Sequence, residues 1–457
     1  MRSILSALAL CTILSSCSGS KPPAPAAELQ TAAPTAVVRL SLARDSVLSL
    51  PLASQQSYSI YIPKSASSPE RSPILVCFDP HGDGRIPIDK YKKWADKFGI
   101  AIAGSNSSRN GLSQQEGQQI AVNMIADITG RLGFDKKNMT ICGFSGGAKV
   151  ALAEAIGDAG IDRAIYMGAV IPFVPSHPIR LMGFAGQMDM NYSDLIQFDE
   201  SHEQSKPGSN LLIEYSGKHE WADAVVFEQA FYWLAISAGH TDSIYQKKYI
   251  VDLIAKSNRL TGKSESAAES YQQNRTTAFI LDGLSDVSAY KDQLKKIAAS
   301  QDFQKVLTNK KESINYESVQ KQILMQAFQN QGADWWSKVI HGYSISSKLS
   351  DKRLLGFISL GCYSYVSQLL AQHDMAGAEK ILAIYESVDP SNTDQLYFHA
   401  LLYAQMDKPT LAIKYLQKAV ANGFNEVEKI EMEPAFASLK NEPNYSLILA
   451  SLKKLAR

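Results

Sequence analysis

The chain has 457 residues, of which 46 are basic and 45 are acidic, so its formal net charge is close to zero. This balance gives no reason to expect a nucleic-acid partner, because such a partner requires a strongly basic surface. A hydrophobic content of 45% is enough for a sizeable core, and the length suggests two or three domains.

Residues 1–16 predict an export signal. Arg2 supplies a positive charge, and residues 4–14 form an apolar run that is too short to span a bilayer as a helix. The Leu-Ser-Ser-Cys motif that ends at Cys17 resembles a bacterial lipobox, in which the cysteine is lipidated and becomes the mature N-terminus. The resemblance implies a membrane anchor in the bacterial cell envelope, on the periplasmic or outer-membrane face. The alternative is an ordinary secretion signal that happens to contain a cysteine.

Residues 17–36 are rich in Ser, Pro and Ala, and they predict a flexible tether. Residues 37–243 then alternate short apolar runs with helix-length segments, which predicts a three-layer α/β domain. The segment at 58–62 alternates like an antiparallel edge strand. The runs that suit buried parallel strands are 74–78, 100–103, 139–142, 163–167, 181–185 and 211–215.

After about residue 243 helical spacing replaces the strand pattern. Residues 244–358 predict a helical region without a clean repeat. Within 359–457, Ala378 and Leu382 match Ala412 and Leu416 at an offset of 34 residues, which resembles tetratricopeptide repeats. The resemblance implies a surface for a protein partner. With no Ser-His-acid constellation after residue 243, we expect this region to contribute binding rather than chemistry. Two repeats seldom bury their apolar faces alone, so we expect the helical array to dock on the α/β domain.

Ser145 lies in Gly-Phe-Ser-Gly-Gly, directly after one predicted strand and before a helical run. A G-x-S-x-G motif in this position is the nucleophile-elbow pattern, which exposes a serine at a sharp turn. The backbone N–H of Gly146 would lie at the start of the helix, where it can stabilise an oxyanion. A glycine-rich turn without catalytic function is the alternative.

A nucleophilic serine needs a base and a residue that orients the base. His219 directly follows the run at 211–215, and Asp189 follows the run at 181–185, so both are expected at strand ends near the serine. Asp194 and Asp199 are alternative acids, and a solvent-exposed turn histidine is the alternative for His219.

Two earlier loops complete the predicted site. His81 and Gly82 follow the run at 74–78, and their His-Gly pair resembles the oxyanion loop of esterases. Asn106 and Arg109 follow the next strand and are candidates for substrate contact. The alternative for the His-Gly loop is a plain turn, and the alternative for the second loop is a solvated connection.

Together these motifs resemble the α/β-hydrolase family over residues ~40–240, closest to polyester depolymerases, feruloyl esterases and dienelactone-hydrolase-like enzymes. The resemblance implies a serine acyl-enzyme mechanism without metal or organic cofactor, acting on a small-molecule or polymer-linked ester. A serine peptidase of related fold, or a repeat adaptor with a silent hydrolase domain, are the alternatives. Apart from Cys11 in the signal and Cys17 of the lipobox, the chain has three cysteines, Cys77, Cys142 and Cys362. They form no zinc-type pair, and the first two are predicted to be buried thiols.

Replacing Cys17 with serine should release the protein from membranes. Acyl chains on this residue are the expected source of membrane affinity, at ~0.8 kcal/mol for each buried methylene. Detergent-phase partitioning of wild type and Cys17→Ser measures the effect, with Cys11→Ser as the matched control because that residue lies inside the signal. A Cys17→Ser protein found wholly in the detergent phase would show that the anchor is elsewhere.

Overall fold

A computed structural model describes residues 45–455 except 52, 67, 174–175 and 238–242. The predicted signal, tether and lipidated Cys17 lie outside the described residues. All described residues belong to one compact unit.

One eight-stranded sheet forms the centre of the first half of the chain. The strands are β1 Asp45–Leu50, β2 Ala53–Tyr61, β3 Ile74–Phe78, β4 Ala101–Ser105, β5 Met139–Phe144, β6 Arg163–Met167, β7 Arg180–Gly186 and β8 Asn210–Tyr215. Their order in the sheet is β1-β2-β4-β3-β5-β6-β7-β8. β1 and β2 run antiparallel, β2 pairs antiparallel with β4, and the remaining neighbours are parallel.

The predicted α/β fold is confirmed, but the predicted edge strand is wrong. Residues 58–61 belong to β2, which pairs on both sides with β1 and β4, so it is not at the edge. The outer strand β1 has an alternating pattern of exposed and half-buried residues, with Val47 exposed. Such a weakly apolar strand is recognisable only once it is paired.

Helices cover both faces of the sheet and make the domain three-layered. The helices are α1 Arg85–Phe98, α2 Gln114–Gly130, α3 Gly146–Gly157, α4 Tyr192–Ser205 and α5 Ala224–Ser237. On one face Tyr91 of α1 stacks on Phe227 of α5, with ring centroids 4.1 Å apart. On the other face Ile125, Leu152 and Leu195 of α2, α3 and α4 are buried in a second core. As predicted, Cys77 and Cys142 are buried free thiols.

The rest of the described chain is helical, as predicted. The helices are α6 Ser243–Thr261, α7 Ala267–Leu281, α8 Ser288–Ala298, α9 Gln301–Asn330, α10 Ala333–Ile345, α11 Leu349–Ala371, α12 Met375–Val388, α13 Thr393–Gln405, α14 Pro409–Ala421, α15 Val427–Met432 and α16 Pro443–Leu455. α5 is buried along most of its length because α6 and α7 cover it, with the rings of Trp233 and Phe279 5.6 Å apart between centroids.

Two helical hairpins, α11/α12 and α13/α14, repeat the same connection. His373 and Asp407, 34 positions apart, both adopt a left-handed conformation, with φ of 56° and 55°. The next residue in each hairpin donates its N–H to the carbonyl five positions earlier. Ala378 and Ala412 are fully buried at equivalent positions. The offset found in the sequence is therefore a repeat of structure, while its assignment to the tetratricopeptide family stays a prediction.

By length and composition alone, α11 could cross a membrane. Its buried apolar side chains recur at helical spacing and belong to the core of the helical region: Leu354, Ile358, Cys362, Val366 and Leu370. A core helix of a folded region passes the same test, so this helix is weak support for a membrane span.

Glu154 is an unusual member of the core, because it is a carboxylate that is only 3% exposed. It lies on α3, the helix that follows Ser145. Burial raises the pKa of Glu154 to about 7; the charge of Asp158 adds to this rise and that of Lys136 opposes it. Folding therefore favours the protonated form of this side chain.

Glu154→Gln should stabilise the protein at pH 8 but not at pH 4.5. Because the pKa of Glu154 is raised in the folded state, the free energy of unfolding is highest below the ordinary pKa of 4.5, where the side chain is protonated in both states. It falls as the pH rises through about 7, where the buried side chain must ionise. One pKa unit corresponds to about 1.4 kcal/mol, so the ionised Glu154 lowers the free energy of unfolding above pH 7 by on the order of 3 kcal/mol. Unfolding measured between pH 4.5 and 8 tests this, with exposed Glu200→Gln as control for the lost charge. An equal effect of Glu154→Gln at both ends of the range would contradict it.

Candidate active site

Ser145 occupies a strained turn between β5 and α3. Its φ of 52° and ψ of −121° lie in a region that residues with a side chain rarely adopt. The turn requires glycine on both sides. A Cβ on Gly143 would lie 2.1 Å from the carbonyl oxygen of Gly147, and a Cβ on Gly147 would lie 2.0 Å from that of Phe78. The turn is held by the N–H of Ser145, which donates to Met167 O at 2.8 Å.

The structure brings the three predicted residues Ser145, His219 and Asp189 into one chain of hydrogen bonds. His219 Nε2 lies 3.0 Å from Ser145 Oγ, and His219 Nδ1 lies 2.9 Å from Asp189 Oδ1. Asp189 is buried at 2% exposure, whereas Ser145 is half-buried and the His219 side chain keeps 22% of its exposure. The carboxylate is therefore shielded while the serine remains accessible.

Of the three candidate acids, only Asp189 contacts His219. Asp199 instead accepts two hydrogen bonds from Arg275, at 2.8 and 2.9 Å, and Asp194 is an exposed residue of the first turn of α4. Asp189 Oδ1 also accepts the N–H of Asn191 at 2.8 Å, which fixes the carboxylate in its loop.

The loop of Asp189 and the loop of His219 are joined through their main chains. Gln187 N–H donates to Tyr215 O and Met188 N–H donates to Gly217 O, both at 2.8 Å. Behind the imidazole lies Gly168, with φ of 67°, where a Cβ would come within 2.9 Å of His219 Cε1. A side chain at position 168 would therefore collide with the imidazole, so glycine is required beside it.

The predicted oxyanion loop is held together by Asp79, which sequence reasoning missed. Asp79 Oδ1 accepts the N–H of His81 at 2.8 Å, and Asp79 O accepts the N–H of Gly82 at 3.3 Å. Asp79 Oδ2 accepts from Trp221 Nε1 at 2.7 Å, which links this loop to the segment that follows His219. The hydrogen bond between the His81 ring and Asp79 raises the pKa of His81.

Both proposed N–H donors of this loop are therefore engaged within it. An oxyanion role for His81 or Gly82 stays a prediction, and it requires their bonds to Asp79 to be shared or broken. Gly146 begins α3, so its N–H lies at the positive end of the helix, as the motif requires.

Asn106 is tied into the protein rather than free for substrate. Its Oδ1 accepts from Gly84 N and from Ser59 Oγ, both at 3.1 Å. Arg109 is exposed, and its backbone forms an antiparallel bridge with His81. Asn110, which sequence reasoning missed, reaches the site instead. Its Oδ1 lies 2.0 Å from the position that a Cβ on Gly146 would occupy.

The helical region contacts the loop of Asp189 directly. Arg353 Nη1 donates to Gln187 O, and Lys321 Nζ donates to Met190 O, each at 2.8 Å. These contacts agree with the expected docking of the helical region on the α/β domain, while its expected role in binding rather than chemistry stays a prediction. In the part of the chain that the structure describes, no group of three or more His, Cys, Asp or Glu side chains could hold a metal ion.

No family model and no curated protein matches the chain. Among solved structures it is similar to an esterase from Pyrobaculum calidifontis, with 13% identity, 43% of this chain and 82% of the other covered, and a TM-score of 0.34. It is also similar to an S-formylglutathione hydrolase from Agrobacterium tumefaciens, with 12% identity, 40% of this chain and 90% of the other covered, and a TM-score of 0.32. A third similar structure is an esterase from Mycobacterium marinum, with 15% identity, 42% of this chain and 81% of the other covered, and a TM-score of 0.33. At these low values, function has to be inferred from the geometry of the site.

Asp189→Asn should slow covalent labelling of Ser145 by a fluorophosphonate on the order of 10⁴-fold, because an amide here holds His219 in the wrong tautomer. Asp194→Asn, the matched control, should change the labelling rate less than about twofold, because Asp194 does not contact His219. Labelling rates at saturating probe measure both effects. The reverse order of the two effects would make Asp194 the acid.

Proposed function

We propose that the chain is a serine hydrolase that cleaves carboxylic esters through an acyl-enzyme. The observation that carries this proposal is the continuous hydrogen-bond chain from buried Asp189 through His219 to Ser145 on its strained turn. The chain order Ser, Asp, His is that of α/β-hydrolases and differs from the orders of trypsin-like and subtilisin-like enzymes.

In the first half-reaction His219 Nε2 takes the proton of Ser145 Oγ as the oxygen attacks the ester carbonyl. The negative charge that develops on the carbonyl oxygen would be stabilised by the N–H of Gly146 at the start of α3. Asp189 stabilises the imidazolium that forms. The imidazolium then gives its proton to the departing alcohol, and a serine ester remains. Water repeats the sequence with His219 as base, which releases the acid and restores Ser145.

The surroundings of the site favour short or polymer-linked acyl groups over long free chains. Between Asp189 and His219 the structure holds only α4 and β8 with their connections. A lid over the serine has no place in so short a segment, and Ser145 is half-buried rather than enclosed. An anchored enzyme with an open site suits an ester presented on a polymer, and lipidation of Cys17, which the sequence predicts, would hold this activity in the cell envelope.

Two other functions make different predictions. A serine peptidase would use the same three residues on an amide, so only substrate preference separates the two activities. An adaptor with a silent hydrolase domain needs no aligned triad, and the distances of 2.9 and 3.0 Å are arguments against it. A partner of the repeat hairpins is compatible with each of the three.

Ser145→Ala should reduce hydrolysis of short p-nitrophenyl esters on the order of 10⁴-fold or more while the protein stays folded. The substitution removes the nucleophile and little buried area. Initial rates and circular dichroism measure the two parts, with Ser201→Ala on the exposed surface of α4 as control. More than a tenth of wild-type activity in Ser145→Ala would refute the assignment. Faster cleavage of peptide p-nitroanilides than of the esters would favour the peptidase.

A further inference from the structure

A cluster of three charged side chains is buried where α9 and α11 meet the α/β domain. Glu317 of α9 is fully buried, and the side chain of Arg353 of α11 is 3% exposed. Lys321, one turn after Glu317, keeps 15% of its exposure. Arg353 Nε lies 2.7 Å from Glu317 Oε2, and Lys321 Nζ lies 3.0 Å from Glu317 Oε1. We refer to these three residues as the interface cluster.

The interface cluster contacts the segment that holds the triad acid on both sides of Asp189. Two residues before it, Gln187 O accepts from Arg353 Nη1 at 2.8 Å. One residue after it, Met190 O accepts from Lys321 Nζ at 2.8 Å. Further along, Ser193 Oγ donates to Glu317 Oε1 at 3.0 Å.

Aromatic and close contacts add to these bonds. The guanidinium of Arg353 lies 4.6 Å from the centre of the Tyr192 ring, a cation–π arrangement. A Cβ on Gly356 of α11 would come within 3.3 Å of Met190 Cβ, so the helix backbone approaches this segment closely. The segment is thus held from outside by the helical region and from inside by its main-chain bonds to the His219 loop.

The energetics of a buried charge cluster indicate that it orients the neighbouring loop rather than stabilises the fold. Removing a carboxylate and two cations from water costs free energy that their attraction returns only in part, so a buried ion pair contributes little net stability. What the arrangement does supply is fixed geometry, because a guanidinium directs its donors along set directions. Here one donor is directed at Glu317 and another at the main chain beside Asp189.

We infer that Arg353 is a positioning residue for the triad, which holds the loop of Asp189 at the distance His219 requires, with Glu317 and Lys321 as its supports. The helical region then completes the active site of the hydrolase in addition to any partner it binds. The expected effect on kcat rests on the proposed function, whereas the expected effect on the bond between His219 and Asp189 does not.

Arg353→Lys in the full-length chain tests this role while a positive charge remains opposite Glu317. One ammonium group cannot reproduce both directed bonds of the guanidinium, so we expect kcat on the best p-nitrophenyl ester to fall roughly tenfold. A misplacement of about 1 Å in a supporting group can cost up to 10²-fold in rate. KM should stay within about twofold of wild type, because the Asp189 loop orients the base rather than the substrate.

Arg275→Lys is the matched control. Arg275 also reaches from the helical region to α4, where it pairs with Asp199 at 2.8 and 2.9 Å, but its bonds lie away from the Asp189 loop. A general loosening of the interface would lower kcat in both variants alike. Loss of kcat in Arg353→Lys alone, at a similar melting temperature for the two proteins, supports positioning.

A second variant separates loss of positioning from failure of the protein to fold. Glu317→Leu with Lys321→Met and Arg353→Met replaces all three charges of the interface cluster by apolar side chains of similar size, a change that is often neutral or stabilising. We expect this folded protein to lose kcat at least as strongly as Arg353→Lys, with the lysine variant between it and wild type. Wild-type kcat in this triple variant would overturn the inference.

A crystal structure of each variant gives a readout independent of activity. We expect the bond between His219 Nδ1 and Asp189 Oδ1, 2.9 Å in the parent, to lengthen or break in both Arg353 variants and to persist in Arg275→Lys. If wild type hydrolyses no ester and the bond still breaks, the proposed function fails and the positioning role stands. If the bond is unchanged in the Arg353 variants, the positioning role fails, whatever the activity of wild type.

Discussion

The close approach of β5 to the start of α3 is the constraint on which the rest of the site depends. It leaves no room for a Cβ at Gly143 or Gly147 and forces Ser145 into a conformation with positive φ. The strain is acceptable because the parallel strands on both sides of β5 hold the turn from two directions. One consequence is that the serine stands clear of the sheet edge, next to the N–H groups at the start of a helix.

The parallel sheet then determines which other residues can meet the serine. The carboxyl ends of β3, β7 and β8 lie along the same edge, so their loops deliver Asp79, Asp189 and His219 to one place. Bonds between these loops do not depend on the triad itself. Asp79 to Trp221 joins the first loop to the last, and the bonds of Gln187 and Met188 join the other two. The triad is therefore part of a connected frame rather than three separately placed side chains.

The helical region adds a second support to this frame. Its contacts with the α/β domain include buried charges. Because burying these charges costs free energy, we attribute to them a role in orienting the Asp189 loop rather than in stabilising the fold. The repeat hairpins α11/α12 and α13/α14 share a left-handed connection, and α11 belongs both to the first hairpin and to the interface cluster through Arg353. A partner that changed the packing of the hairpins would have a physical route to the loop of Asp189.

Features that depend on local pattern could be predicted from the amino-acid sequence. Alternation of apolar runs with helical segments predicted the α/β domain, glycine spacing predicted the turn at Ser145, and strand-end position selected His219 and, among three carboxylates, Asp189. Features that depend on pairing between distant segments could be recognised only in the folded protein. β1 covers β2, Asp79 engages the N–H groups of His81 and Gly82, and Asn106 is bonded inside the protein while Asn110 reaches Gly146. Arg353 lies 166 positions from Gln187, and neither residue belongs to a motif that predicts the other. Periodicity encodes which face of an element is buried, whereas the partner of a buried polar group is set by how whole elements pack.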